Sequence, residues 1–395
     1  MKRLLLGALC FMIALMTGML AETDVSIPSL NFTPKAVPET DAFVFTRSIG
    51  LGWNLGNTFD ATGGSWIRNE MDIETAWQKD KTAEALIDAL CDAGFDTLRI
   101  PVSWHDHVNA AFSISEQWLD RVKEVVDWAY SRGMHVIVNI HHDCDKKYYY
   151  PSRDCLENSI AYVTAIWMQV SRRFKDYDER LIFENLNEPR LKDTAYEWNS
   201  DERVPEVADA MECINMLNQI FVDTVRASGG CNADRYLMVS GYDASIQGAT
   251  SARFVLPADS AENRLIISTH AYAPYSFALQ ASSESGSRSV WSVENAADRQ
   301  ELALTLEELY QKFITKGIPV VMGEFGSRDK GGNLASRVDH AAFYVALCTA
   351  RGIPCIWWDN NSFKGSGENF GLIRRSALKW EYPEIIQAMI TYKLK

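Results

Sequence analysis

The sequence lacks the marks of several protein classes. Its 395 residues include 39 Lys and Arg against 52 Asp and Glu, which gives a net charge of -13. A nucleic-acid partner would require a basic surface, so we expect none. A disulfide framework is also missing: the seven cysteines beyond Cys10 are an odd number and are scattered along the chain. Only Cys144 and Cys155, which flank a tyrosine-rich loop, are placed where a pair could form.

Signals for a second domain and for a bound phosphate are also missing. No boundary rich in Pro, Gly and Ser follows residue 40, so nothing divides the rest of the chain. Gly50, Gly52 and Gly56 have the wrong spacing for the glycine-rich turn of a dinucleotide-binding sheet. The His-Glu-x-x-His motif of many zinc hydrolases is absent as well. These absences favour one large domain.

The N-terminus has the pattern of a secretory signal. Lys2 and Arg3 precede an apolar run from Leu4 to Leu20, and no second long apolar run follows. We therefore interpret residues 1–21 as a signal peptide, 22–40 as a linker-like segment and 41–395 as the folded domain. Export would place the protein outside the cell, in the periplasm or at the cell surface, with no membrane partner after cleavage. An uncleaved anchor is the alternative, because 17 residues lie at the lower limit for spanning a bilayer.

Short apolar runs alternate with amphipathic helical patterns through the folded domain. Helical periodicity is clear in Thr82–Ala93 and Glu116–Ser131, for example. Eight apolar runs predict strands: Ser48–Leu55, Thr97–Pro101, His135–Ile140, Leu181–Glu184, Tyr236–Ser240, Leu265–Thr269, Pro319–Met322 and Pro354–Trp358. Eight strand–helix units in about 350 residues predict an α/β protein with a single (β/α)8 TIM barrel rather than an open doubly wound sheet.

Polar residues follow these strands, where a barrel of this type builds its active site. Glu188 and Glu324 come after the fourth and seventh strands, so they can face each other across the barrel mouth. Hydrolysis of a glycosidic bond needs such a pair, because one carboxyl protonates the leaving oxygen while the other attacks the sugar or activates water. Pro189 fixes the turn after Glu188, and Asn187 offers an amide to a sugar hydroxyl. The pattern therefore favours a glycoside hydrolase.

Seven stretches of the sequence carry a resemblance to a known family. They are Gly52–Thr58 (GWNLGNT), Arg99–Trp104 (RIPVSW), Asn139–Asp143 (NIHHD), Phe183–Arg190 (FENLNEPR), His270–Tyr275 (HAYAPY), Gly323–Gly326 (GEFG) and Trp357–Asn360 (WWDN). In this order and over residues 45–390, the sequence resembles glycoside hydrolase family 5, the cellulase family. The double tryptophan and the Ala-Tyr-Ala-Pro-Tyr stretch are most similar to its bacterial endoglucanase and xyloglucanase branch.

The resemblance implies a role for each matching residue. Glu188 would be the acid/base and Glu324 the nucleophile of a retaining reaction. Arg99 would keep the nucleophile ionised, and the negative charge of the nucleophile would raise the pKa of Glu188. Positions implied to bind substrate or support the carboxylates are Arg99, His141, His142, Asn187, His270, Tyr272, Trp358 and Asn57.

These residues lead us to expect a secreted, endo-acting, retaining hydrolase of β-1,4-glucan backbones such as cellulose, mixed-linkage glucan or xyloglucan. We expect it to work as a monomer on a polysaccharide, without a metal or other cofactor. A β-mannanase or glucomannanase on the same barrel, a metal-dependent hydrolase and a non-catalytic glycan-binding protein are the alternatives. Adjacent histidines on a strand point to opposite faces, so we do not expect His141 and His142 to hold one ion.

Loop aromatics are candidates for stacking on sugar rings. They are Trp66, Trp104, Tyr148–Tyr150, Trp198 and Trp291.

Overall fold

The computed structural model describes residues 25–64 and 66–394. The proposed signal peptide at residues 1–21 lies outside this part of the chain. None of the helices within it is long and apolar enough to cross a membrane.

Eight parallel strands close into a barrel, which confirms the fold expected from the sequence. Each strand pairs with the next along the chain, and β8 pairs with β1. The strands are β1 (Leu51–Leu55), β2 (Thr97–Ile100), β3 (His135–Ile140), β4 (Leu181–Leu186), β5 (Leu237–Ser240), β6 (Leu265–His270), β7 (Val320–Phe325) and β8 (Cys355–Asp359). A short antiparallel pair, β9 (Ile373–Arg374) and β10 (Lys379–Trp380), follows the barrel.

One helix precedes the first strand, and the helices that follow cover the outside of the barrel. The helices are α1 (Asp41–Ile49), α2 (Glu84–Ala93), α3 (Glu116–Ser131), α4 (Leu156–Arg173), α5 (Pro205–Ala227), α6 (Ile246–Thr250), α7 (Tyr275–Ala278), α8 (Ala296–Lys312), α9 (Leu334–Thr349) and α10 (Pro383–Tyr392). Their apolar faces pack against the outward side chains of the strands in one large buried layer.

A second, smaller apolar cluster fills the lower part of the barrel. Phe45 and Ile49 of α1 pack there with inward residues of the strands, among them Ile137, Met238 and Ile356. The helix therefore closes the end of the barrel at which the strands begin. The opposite end, where the strands finish, stays open for a site.

The first strand begins later than the sequence pattern indicated. Ser48 and Ile49 belong to α1, and Gly50 separates that helix from β1. Gly50 has a φ of 59°, and a Cβ atom there would lie 2.2 Å from a carboxylate oxygen of Asp96. Apolar periodicity alone could not show this break, because Ile49 at the end of α1 and Leu51 at the start of β1 are both buried.

Residues 25–40, which precede α1, run along the outer helices. The hydroxyl of Tyr392 in α10 accepts a hydrogen bond from the backbone N–H of Leu30 (2.8 Å) and donates one to the carbonyl of Pro28. Lys35 forms a salt bridge of 2.6 Å with Glu307 of α8. These contacts join the described start of the chain to α8 and to the last helix, α10.

Candidate active site

A cleft of about 790 Å³ opens at the ends of the strands. Nine of the ten residues singled out in the sequence line it: Asn57, His141, His142, Asn187, Glu188, His270, Tyr272, Glu324 and Trp358. The tenth, Arg99, is fully buried and contacts several of them. Residues from most strands of the barrel thus meet at one place.

Glu188 and Glu324 face each other with His270 between them. Nδ1 of His270 lies 2.9 Å from Oε1 of Glu188 and 3.7 Å from Oε1 of Glu324. One oxygen of each carboxylate lies within 4.8 Å of the other and of a ring nitrogen of His270. His270 therefore lies close enough to both carboxylates to change their pKa values.

Glu324 is held by donors at both of its oxygens. Nη1 of Arg99 donates to Oε1 over 2.9 Å, and the hydroxyl of Tyr272 donates to Oε2 over 2.8 Å. Nη2 of Arg99 also donates to Oδ1 of Asn187 over 2.7 Å. Arg99 thus fixes a carboxylate and an amide of the cleft relative to each other.

Irregular strand pairing aims these side chains into the cleft. The pairing register shifts at Asn139 and Ile140 of β3, at Thr269 and His270 of β6, and between Met322 and Phe325 of β7. Such bulges re-aim side chains and are common beside active sites. A Cβ atom on Gly323 would lie 3.1 Å from Nε2 of His270, so any larger residue there would crowd the imidazole.

The order of the two carboxyl pKa values differs from the one implied by the family resemblance. Burial would raise the pKa of Glu188, but the hydrogen bond and charge of His270 lower it overall. Burial raises the pKa of Glu324, and the charges of His270 and Arg99 oppose that rise only in part. Burial disfavours a charged His270, yet Glu324 and Glu188 together raise its pKa. The contact with His270 thus places the pKa of Glu188 below that of Glu324.

His141 and His142 both reach the cleft, contrary to the expectation that they point to opposite faces. The alternation ends with β3 at Ile140, so it does not apply to these two residues. They form a cluster with Asp60 in which one ligand atom of each residue lies within 4.8 Å of the others. A metal ion would need free lone pairs on both rings.

Hydrogen bonds to His141 do not fit that requirement. Oδ1 of Asn139 accepts from the N–H of Val102, which leaves Nδ2 of Asn139 to donate to Nδ1 of His141 over 3.2 Å. Nε2 of a neutral His141 then carries the proton and is a donor rather than a metal ligand. The ring stacks in parallel with Trp358 at 5.7 Å between centroids. The arrangement suits a donor to a sugar hydroxyl better than a metal ligand.

Asp60 makes folding stability dependent on pH. Burial raises the pKa of Asp60 to about 7, although hydrogen bonds from Thr58 and Asn57 oppose the shift. The carboxyl of Asp60 in the unfolded chain titrates near pH ~4. Between that pH and about 7, the folded protein therefore keeps a proton on Asp60 that the unfolded chain has lost. The stabilising contribution of this proton is full below pH ~4 and is lost as the pH rises through about 7.

We expect the Asp60→Asn variant, which cannot ionise, to gain stability relative to the wild type as the pH rises from 4 to 8. Urea unfolding of both proteins at pH 4, 6 and 8 measures this difference. A difference in unfolding free energy that stays constant across the three pH values would contradict the assignment.

Several stacking candidates are wrong. Trp104, Trp291 and Tyr149 are fully buried, and Tyr150 is nearly so. Trp66 is exposed but does not line the cleft. Trp198 does line it and is 62% exposed.

The sequence reasoning also missed residues of the cleft and of its base. Trp77 and Tyr275 line the cleft and are 44% and 57% exposed. Below it, Glu184 forms a buried ion pair with Arg99. A charged residue inside an apolar strand is the signal that could have revealed Glu184. Cys144 and Cys155 are both free thiols, so the suggested disulfide is not formed in the structure.

Comparison with known proteins agrees with this geometry. The family model for cellulase (glycosyl hydrolase family 5) matches residues 59–364. Endoglucanase 1 of Ruminococcus albus is 40% identical over 380 residues, which cover 95% of this chain and 87% of that protein.

Solved structures give the same result. A GH5 family lichenase from Caldicellulosiruptor sp. F32 is 53% identical, with 93% of this chain and 99% of that chain covered and a TM-score of 0.92. A mutant of that lichenase was solved with cellotetraose. A GH5-4 broad specificity endoglucanase from Ruminococcus champanellensis with bound cellotriose is 42% identical, with 90% and 100% covered and a TM-score of 0.82. This chain therefore belongs to glycosyl hydrolase family 5, as its motifs predicted, and is a glycoside hydrolase of the endoglucanase type.

Proposed function

We propose that the enzyme cleaves β-1,4-glucan backbones internally and with retention of the anomeric configuration. The observation that carries this proposal is the short gap between the carboxylates: an oxygen of Glu188 and one of Glu324 lie within 4.8 Å of each other. Retaining hydrolases have carboxyl groups ~5–5.5 Å apart, whereas inverting ones need ~6.5–9.5 Å to admit a water molecule. The gap favours direct attack by a carboxylate.

Glu324 is the nucleophile in this proposal. Its Oε1 and Oε2 are oriented by Arg99 and Tyr272, so the carboxylate has little freedom to turn away from the substrate. It attacks the anomeric carbon while the bond from that carbon to the glycosidic oxygen breaks, which gives a covalent glycosyl-enzyme. In this proposal Asn187, whose Oδ1 accepts from Arg99, binds the sugar 2-hydroxyl through its amide, a contact that strengthens in the transition state.

Glu188 gives the departing oxygen its proton. A proton on Nδ1 of His270 can pass to Glu188 across the 2.9 Å contact between them. Movement of the proton along this contact leaves a neutral imidazole and a protonated Glu188, while Glu324 remains ionised for attack. In the second step Glu188 takes a proton from water, and the oxygen of that water displaces Glu324 from the anomeric carbon.

The cleft and the relatives support the proposed substrate class. Three exposed aromatic residues, Trp77, Trp198 and Tyr275, line the cleft and offer flat surfaces to sugar rings. Related structures hold cellotetraose and cellotriose, and one relative is a lichenase. These findings support a chain of β-linked glucose units, including mixed-linkage glucan, with several residues bound at once.

Trp198 is expected to contribute to binding of long substrates. Its ring packs on the guanidinium of Arg190 at 4.1 Å, which holds the ring at the edge of the cleft. We expect Trp198→Ala to raise KM for a β-glucan polymer by about 3- to 10-fold, equivalent to roughly 1 kcal/mol, with a small change in kcat. Trp66→Ala is the matched control, because Trp66 is equally exposed but lies outside the cleft lining. Equal effects of the two changes would contradict a role for Trp198.

Export of the enzyme is a further part of the proposal. It rests on Lys2, Arg3 and the apolar run that follows them. Expression of the full chain in a bacterial host with N-terminal sequencing of the exported protein tests it. A new N-terminus near residue 22 is expected, and retention of the full chain in the membrane would contradict cleavage.

A panel of polysaccharides with sizing of the products tests the substrate class. We expect rapid loss of chain length on mixed-linkage β-glucan, soluble cellulose and xyloglucan, with a mixture of oligosaccharides from the start. Cleavage of mannan alone would contradict the glucanase assignment. Release of a single short product from the chain ends would contradict endo action.

A further inference from the structure

Glu184 is a fully buried carboxylate in β4, beneath the cleft. Oε2 accepts hydrogen bonds from Nε of Arg99 (2.8 Å) and from Nδ2 of Asn139 (3.0 Å). Oε1 accepts from the hydroxyl of Ser268 over 2.5 Å. Residues of three other strands thus converge on one anion that does not line the cleft.

The contact with Arg99 fixes the orientation of the guanidinium. Nε and Nη2 face Glu184, and Nη2 lies 2.7 Å from its Oε2. Nη1 can then reach Glu324, and Nη2 can also reach Asn187. Burial disfavours the charge of Arg99, but Glu184 and Glu324 together raise its pKa. Arg99 therefore forms ion pairs with two carboxylates, Glu184 below the cleft and Glu324 at its surface.

Through its contact with Asn139, Glu184 also affects His141. One N–H of the Asn139 amide donates to Oε2 of Glu184, and the other donates to Nδ1 of His141. The amide oxygen, Oδ1, accepts from the N–H of Val102. A carboxylate accepts hydrogen bonds and cannot donate, so it prevents the amide from turning over. His141 is held with an unprotonated Nδ1 and a proton on Nε2.

We propose that Glu184 is a positioning residue that sets two groups of the active site at once, the guanidinium fork of Arg99 and, through Asn139, the tautomer of His141. This inference rests on the proposed function only in taking Glu324 to be the nucleophile. Glu184 itself does not line the cleft.

The negative charge of Glu184 has a measurable consequence for Glu324. It competes with Glu324 for the positive charge of Arg99. Removal of that charge leaves Arg99 to act on Glu324 alone, which favours the ionised carboxylate. The pKa of Glu324 should therefore fall in Glu184→Gln, whereas loss of packing alone gives no reason for a fall.

Titration of Glu324 by carboxyl ¹³C NMR in wild type and Glu184→Gln tests the inference. The resonance is identified by its loss in Glu324→Gln, and the midpoint should fall by about one pH unit in Glu184→Gln. Glu74→Gln is the matched control, because Glu74 is also fully buried and bonded to a buried arginine, Arg121, but lies outside the cleft lining. It should lower thermal stability and leave the midpoint unchanged.

An unchanged midpoint in a folded Glu184→Gln protein overturns the inference. The readout needs no turnover, so this result is distinct from failure of the retaining mechanism, which product stereochemistry decides. If Glu184→Gln does not fold, Glu184→Asp keeps the negative charge but draws it back from Arg99, and it should shift the midpoint in the same direction by less.

The tautomer of His141 provides a second measurement that needs only folded wild-type protein. Imidazole ¹⁵N spectra, assigned with His141→Gln, should show a pyridine-like Nδ1 and a protonated Nε2. A protonated Nδ1 in neutral His141 overturns the part of the inference that runs through Asn139.

Discussion

Glu324→Gln is expected to lower kcat on β-glucan by roughly 10⁴-fold or more, because an amide cannot form the covalent glycosyl-enzyme. Glutamine keeps the size of the side chain and can still accept a hydrogen bond from Arg99. The charge of Arg99 remains compensated by Glu184. Stability and binding of oligosaccharides should therefore change little, as thermal unfolding and calorimetric titration with cellotetraose would measure.

Glu74→Gln is the control for this variant. Glu74, like Glu324, is a buried glutamate bonded to a buried arginine, and it does not line the cleft. The Glu74→Gln enzyme should be less stable than the wild type and should keep the wild-type kcat. A Glu324→Gln enzyme with more than a tenth of wild-type kcat would contradict the nucleophile assignment.

Glu188→Ala is expected to have an effect that depends on the leaving group. On β-glucan, whose leaving alcohol must be protonated, kcat should fall by about 10²- to 10⁴-fold. On an aryl cellobioside with an acidic phenol, formation of the glycosyl-enzyme should be close to normal, because the phenolate leaves without protonation. Hydrolysis of the intermediate then becomes slow, since no base activates water.

Rescue of activity by azide distinguishes loss of the acid/base group in Glu188→Ala from a general loss of structure. It needs no base and fits the space left by the carboxylate, so it should speed turnover of the aryl cellobioside by Glu188→Ala and give a β-cellobiosyl azide. The same addition should leave Glu324→Gln inactive. Equal losses on the polymer and the aryl cellobioside, without azide rescue, would contradict the acid/base role of Glu188.

The fold could be predicted because its signals are local. Alternation of apolar runs with helical periodicity located all eight strands, and the errors lie at their ends. The apolar periodicity of Leu302–Lys316 predicts a helix there, but α8 already begins at Ala296, because Asn295 caps it by accepting from two backbone N–H groups. Asn185, an unusual polar residue for its strand, is satisfied by Trp167 and Asn218 outside the barrel interior.

The members of the site could be predicted from motifs, but their environments could not. Whether a loop tryptophan such as Trp104 faces the cleft or the core depends on how the loop folds back. Trp104 is buried, with its N–H and ring nitrogen bonded to Asp143 and Asn139. Similarly, the lowered pKa of Glu188 arises from a contact with His270, which is 82 residues away in the chain. Such distances are properties of the folded barrel.

The central claim, that Glu324 and Glu188 act by double displacement, is tested most directly by the stereochemistry of the first product. Proton NMR during early hydrolysis of a β-glucan oligosaccharide, before mutarotation, distinguishes the two anomers. Double displacement predicts that the β-anomer appears first and converts slowly to the equilibrium mixture. Initial release of the α-anomer would contradict it.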